Sequence, residues 1–154
     1  MMILTDDIKQ AIDSCVLCWL ATVNSKQVPN VSPKEVFTYQ GDDTVLIANI
    51  ASPKSVLNIA TNANVCVSFI DIFKQKGFKL VGKANIIEKS DNAFDKQYQP
   101  LYAMAGDAYP IHNIINITVE HVAPIIAPSY KLFPDKTEAQ QVENAMASYG
   151  VKPI

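Results

Sequence analysis

The stretch TVLIANIASPKSVLNIATNANVCVSF, residues 44–69, decides the fold. Its opening, 44–50, is an apolar, β-rich run that reads as a buried strand, and residues 64–73, NVCVSFIDIF, repeat the pattern. Between them, 52–62 reads as a short helix, with Ser52 as a favoured N-cap and Pro53 preorganised for the first helical position. A strand therefore feeds directly into a helix and a second strand follows.

Working outward, 17–23, 28–39, 78–88 and 114–126 carry the same β-branched and aromatic enrichment, which makes six predicted strands. Short turns at 24–27, 41–43 and 74–77 predict antiparallel hairpins strung together as a meander. Residues 5–15 predict a leading helix with Thr5 as N-cap. Residues 91–109 predict a second excursion bent or divided by Pro100, and 137–149 a final helix with a capping box at Thr137–Gln140 and a stop at Gly150. The loop 127–136 is the one extended proline-bearing connection and is expected to cross the surface. The fold class is mainly β with peripheral helices. A small antiparallel barrel is more economical than a sandwich, because closure removes exposed sheet edges.

Composition sets the frame for function. The 154 residues, 49% hydrophobic and 18% charged, suit one domain spanning 1–154, and no apolar run reaches the length of a bilayer span. A net charge of −2 argues against broad capture of nucleic acid, and no membrane partner is expected. MMILTDDIKQ lacks a basic region ahead of an apolar stretch, so a cytoplasmic protein is the expectation. Three cysteines make no disulfide framework. All 13 basic residues are lysines; any bound anion must therefore be held by lysine, hydroxyls and backbone N–H groups rather than by guanidinium forks.

Two SPK segments answer that requirement. Ser52, Lys54 and Ser55 lie at a helix start, where unpaired N–H groups favour an anion, and a lysine there opposes the helix dipole unless a negative ligand is near. A capped helix with a solvated lysine is the plainer alternative. The other segment, Ser32-Pro33-Lys34, interrupts the strand 28–39, because proline cannot donate a ladder hydrogen bond. A bend there turns Ser32 and Lys34 to one side, as a flat polar ring would require; an edge strand protected by proline and lysine reads equally well.

The order of these motifs resembles the FMN-binding split-barrel family related to pyridoxamine 5′-phosphate oxidase. The resemblance is carried by LATVNSKQVPNVSPKEV, LIANIASPKSVLNIATNANVCVSF, GKANII and TEAQQVENAMASYG. It implies a six-stranded antiparallel split β-barrel and a homodimer with FMN in clefts between subunits. It also implies a flavoprotein oxidoreductase acting on a small-molecule substrate or electron donor. Carried over, Ser52 and Lys54 meet the phosphate with Ser55 and Asn58 nearby, and Ile47, Ala48 and Asn49 line the isoalloxazine. Ser32, Pro33 and Lys34 face its polar edge, where Lys34 compensates the charge of the reduced ring. Pyridoxamine-phosphate oxidases proper are longer and hold their substrate with arginines, which this chain lacks, so vitamin B6 oxidation is not expected. The alternatives are a non-catalytic flavin store and a haem binder.

Other constellations carry less. Cys15 and Cys18 form CxxC, but Cys66 is the only further cysteine, so no zinc set is completed. His112 and His121 lack zincin spacing, and no P-loop or GxSxG is present. No metal site and no specific catalytic residue is assigned. Tyr130 is placed in a loop that could reach a partner's flavin.

Overall fold

The computed structural model describes residues 3–154. After α1 (Asp6–Ser14) come β1 (Cys18–Val23), β2 (Pro29–Lys34), β3 (Phe37–Gln40) and β4 (Thr44–Asn49). Then follow α2 (Pro53–Thr61), β5 (Asn64–Asp71), β6 (Lys76–Ile87), α3 (Phe94–Ala105), β7 (Asn113–Ile126), α4 (Ser129–Leu132) and α5 (Glu138–Tyr149).

The expected strand 28–39 is two strands, so the sheet has seven rather than six. The reason is a change of partner. Cys18 opens β1 and pairs with Lys34, so β2 has no neighbour beyond that point, whereas Phe37 already pairs with Ile47 of β4. The bend falls at Glu35–Val36, just past Pro33.

That corner closes the barrel. The strand order is β2-β1-β5-β6-β7-β4-β3, which puts β2 and β3 at opposite edges. In a flat sheet they would stand about 29 Å apart at ~4.8 Å per strand. Yet only Glu35 and Val36 separate them, and three Cα steps reach at most about 11 Å. The sheet must curl until its edges meet at this corner, and the amide of Ala48 donates to the Val36 carbonyl at 3.0 Å, carrying the β3–β4 ladder up to the bend. The result is a split barrel.

The expected meander is corrected at β4. The hairpins β1–β2, β3–β4 and β5–β6 form, but β4 pairs with β7, and β5 pairs with β1 on the far side. Helix α2 carries the chain between those positions.

Inside the barrel, Leu20, Ile47, Val67, Leu80 and Ile117 are fully buried, and Phe69 lies 6.2 Å from both Phe37 and Phe78. Leu46 and Ala48 point the other way, into a second cluster with Phe94, Leu101 and Ala105 of α3. Strand β4 is thus covered on both faces, which explains its unbroken apolar run. At a bulge between Val81 and Gly82, β6 presses so closely on β7 that a Cβ on Gly82 would lie 2.1 Å from the Thr118 carbonyl oxygen.

Pro100 sits inside α3 on its exposed side and does not divide it; the helix stops at Gly106, whose φ is +67°. The capping box at Thr137 and Gln140 forms, and Gly150 ends α5 in the left-handed region. Thr5 is extended as a cap should be, but its hydroxyl accepts no helix N–H. The loop 127–136 is not fully extended, since it winds into α4. No described helix is long and apolar enough to cross a membrane.

Candidate functional site

Where the barrel edges meet, a cleft of about 520 Å³ opens, within the usual range for small-molecule sites. Its walls are Ser32 to Val36 from the corner, Ala48 and Ile50 to Ser52 from the end of β4, and Met104, Ala105 and Tyr109 from the end of α3. Both SPK segments therefore contribute to one site.

Lys34 joins them. Its side chain is only 6% exposed, and its Nζ donates to Ser32 Oγ at 2.8 Å and to Ser52 Oγ. Among the described residues it has no carboxylate partner, because the ion pairs are Lys9–Asp42 and Lys76–Glu138. Burial holds its ammonium below the ordinary lysine value of 10.5, with the nearby Cys18 opposing. A buried ammonium satisfied only by neutral hydroxyls is costly unless an anion arrives.

Ser52 serves this lysine instead of capping α2, as its hydroxyl makes no helix cap. The turn is held by Asn49, which accepts from the Ser52 amide at 3.0 Å and donates to Asn113 Oδ1 at 2.8 Å. Consequently the first turn of α2 has neither a side-chain cap nor an acid. In that turn Ser55 Oγ is buried without a hydrogen-bond partner, and Lys54 is exposed. Of the α2 residues only the cap position Ser52 lines the cleft, while Lys54 and Ser55 lie outside its lining; the uncapped helix start beside the unpaired buried ammonium of Lys34 fits an anionic group such as a phosphate.

The remaining expected site residues divide. Ala48 and Pro33 line the cleft. The side chain of Ile47 is fully buried among the barrel-core residues, and it does not line the cleft. Asn58 is buried and donates to Thr22 Oγ1 at 2.9 Å, anchoring α2 to β1. Met104, Tyr109 and Glu35 went unexpected. Gly106 signals that α3 ends near Tyr109, but nothing local in the sequence brings that end against β4.

Cys18 is fully buried, and burial pushes its thiol up to about 12, against the pull of Lys34; Cys15 is raised by burial as well. CxxC therefore presents two protonated thiols rather than a reactive pair. Tyr130 donates its hydroxyl to the Lys74 carbonyl at 2.8 Å. A second hollow of about 500 Å³ includes Cys15 and the Lys76–Glu138 pair, but no unpartnered buried polar atom.

Compared with known families, residues 4–126 match pyridoxamine 5′-phosphate oxidase. The chain belongs to that family. The pyridoxamine 5′-phosphate oxidase match takes in the whole barrel and the cleft, while α4 and α5 lie beyond it. No curated protein matches the chain. Among solved structures it is similar to an FMN-binding protein from Syntrophomonas wolfei subsp. wolfei, with TM-score 0.69, 16% identity, and 80% of this chain and 87% of that one covered. It is similar to HupZ of Group A Streptococcus, with TM-score 0.66, 24% identity and coverage of 78% and 92%. HutZ, the heme storage protein from Vibrio cholerae, matches with TM-score 0.62, 20% identity and coverage of 80% and 94%. At these identities the likeness is one of fold, that of the pyridoxamine 5′-phosphate oxidase barrel.

Proposed function

We propose that the cleft binds FMN and that the protein works as a homodimeric flavoprotein oxidoreductase on a small molecule. One observation carries the reading: Lys34, buried without a carboxylate, donates to Ser32 and Ser52 where both SPK segments converge. The family match and the Syntrophomonas wolfei FMN-binding neighbour support it. Ser52, Lys54, Ser55 and the free amides of α2 hold the phosphate, Lys34 and Ser32 meet the polar edge of the ring, and Ala48, Ile50 and Tyr109 supply apolar walls. FMN, when bound, supplies hydride and single-electron chemistry. The chain itself orients the cofactor, shields it on one side and places positive charge beside it. With no arginine in the chain, a phosphorylated substrate finds no guanidinium clamp.

Dimerisation is supported by the outer face next to the cleft. Register places Val31, Ala21, Cys66 and Val81 in one row across β2, β1, β5 and β6, with Trp19 and Pro33 alongside. Trp19 is 46% and Val31 57% exposed, and Pro33 also belongs to the cleft wall, so a second copy on this face would complete the pocket.

Haem is the second reading, favoured by the heme storage neighbour. The cleft lining contains no histidine, and both His112 and His121 are exposed, which favours flavin. The absorption spectrum of the purified protein decides: a flavin spectrum, or one acquired with added FMN, supports the proposal, whereas a Soret band or indifference to FMN overturns it. Anaerobic mixing with NADH or NADPH then separates an enzyme, which bleaches, from a flavin store. Light scattering that gives a monomer with FMN bound removes the dimer.

Exposed Lys54 is expected to matter less than its position implies. Lys54→Ala should weaken FMN binding by about tenfold, the loss of one solvent-screened charge contact. Unchanged affinity in fluorescence titration takes Lys54 out of the phosphate site.

A further inference from the structure

Three strands of the sheet finish at one rim. Asn49 closes β4, Asn113 opens β7 and pairs with it, and Ile87, which pairs with Ile114, closes β6 one residue before Glu88. Their polar side chains are joined across that rim. Asn49 Nδ2 donates to Asn113 Oδ1 at 2.8 Å, and Asn113 Nδ2 donates to Glu88 Oε1 at 3.2 Å. At the other end of the row the Ser52 amide donates to Asn49 Oδ1 at 3.0 Å. Asn49 and Asn113 are 7% and 9% exposed, and of the four residues only Ser52 lines the cleft.

The row has a direction. A backbone amide can only donate and an ionised carboxylate can only accept, so Ser52 at one end and Glu88 at the other leave each asparagine one orientation, oxygen towards Ser52 and nitrogen towards Glu88. Turning Asn113 over would set nitrogen against the Asn49 nitrogen and oxygen against the Glu88 carboxylate. Burial makes such mismatches costly. The backbone at both asparagine-bearing ends is tied as well: the Asn49 carbonyl accepts from the His112 amide at 2.9 Å, and Asp91 Oδ2 accepts from the Glu88 amide at 2.6 Å.

We infer that Asn113 and Glu88 are positioning residues for the cleft: from outside it they orient the Asn49 amide, which fixes the turn at Ser52 and with it the hydroxyl that meets Lys34. Neither touches the ligand. The effect on flavin rests on the reading of the cleft as an FMN site, whereas the orientation of the Ser52 turn does not.

Glu88→Lys separates this relay from simple electrostatics. The exchange removes a negative charge and adds a positive one, which by charge alone tightens the binding of an anion. The relay predicts the reverse. A donor at the outer end favours both asparagines turned over, and Asn49 then offers nitrogen to the Ser52 amide. In fluorescence titration of the full-length protein, Glu88→Lys is expected to bind FMN about fivefold more weakly, the worth of one net hydrogen bond. Glu88→Gln keeps an accepting oxygen and should stay within about twofold of the unaltered protein. Glu88 is exposed, so both variants should fold. Hydrogen exchange at the Ser52 amide, measured without flavin, is a second reading: it should be faster in Glu88→Lys than in Glu88→Gln or the unaltered protein. If the unaltered protein does not take up FMN, the flavin reading of the cleft fails, and Ser52 exchange still decides the relay. Unchanged or tighter FMN binding by Glu88→Lys overturns the inference, and so does Ser52 exchange equal to that of the unaltered protein.

Discussion

Exchanging Lys34 for methionine is expected to weaken FMN binding by ten- to a hundredfold, roughly the 1.5–3 kcal/mol of a charge-assisted contact. The same exchange is expected to leave the ligand-free protein no less stable, because an ammonium held only by hydroxyls costs more to bury than a thioether of similar length. The two effects separate with pH. Burial puts the folded-state value of Lys34 below 10.5, so between that value and 10.5 the unfolded chain binds more protons and stability rises with pH. The cost of Lys34 is therefore complete below its folded-state value and fades as pH climbs from there towards 10.5, and the methionine variant's advantage should shrink along the same course. Cys18, raised from 9.0 to about 12, contributes stability that is lost as pH rises through that interval, but it is present in both proteins. Urea unfolding across this range, with FMN titration beside it, supplies both readings. Equal affinity in the two proteins would remove Lys34 from the site.

A large loss of stability is expected from one added methyl group. In Gly82→Ala, the new Cβ falls 2.1 Å from the Thr118 carbonyl oxygen and 3.0 Å from the Val119 Cα, and backbone in a paired strand cannot swing aside as a side chain does. The cost should exceed about 4 kcal/mol, among the larger effects of single substitutions. For a chain of this size that lowers the melting temperature by about 10 °C or more. Gly41→Ala is the matched control. Gly41 has φ +64° and nothing within 4 Å of the added carbon, so only backbone strain of about 1 kcal/mol is expected. Thermal melts within a few degrees of one another would show that the β6–β7 bulge relaxes.

The elements with local causes were legible. Helix α2 forms at Pro53–Thr61 within the expected 52–62, the three short turns make hairpins, and Thr137 and Gln140 make the capping box, each because neighbours in sequence are neighbours in space. What escaped depends on distant partners. The break after Lys34 has no breaker residue at Glu35 or Val36; it arises because β1 runs out and β4 takes over. Ile47 and Ala48 look interchangeable within TVLIANI, since both faces of β4 are covered, and alternation alone does not say which one borders the cleft. Ser52 reads as a cap because its competitor, Lys34, stands 18 positions away. Met104 and Tyr109 reach the cleft only through the docking of α3 on β4.

The Glu35–Val36 connector also limits how this chain can diversify. Elsewhere an inserted residue costs little, since loop entropy grows slowly with length. An insertion at this corner would slacken the shortest tie between the two rims of the sheet and draw the Lys34 ammonium away from the Ser52 hydroxyl. Natural variation in loop length is therefore expected at 24–27, 41–43 and 88–93, while the span from 34 to 37 stays invariant in length.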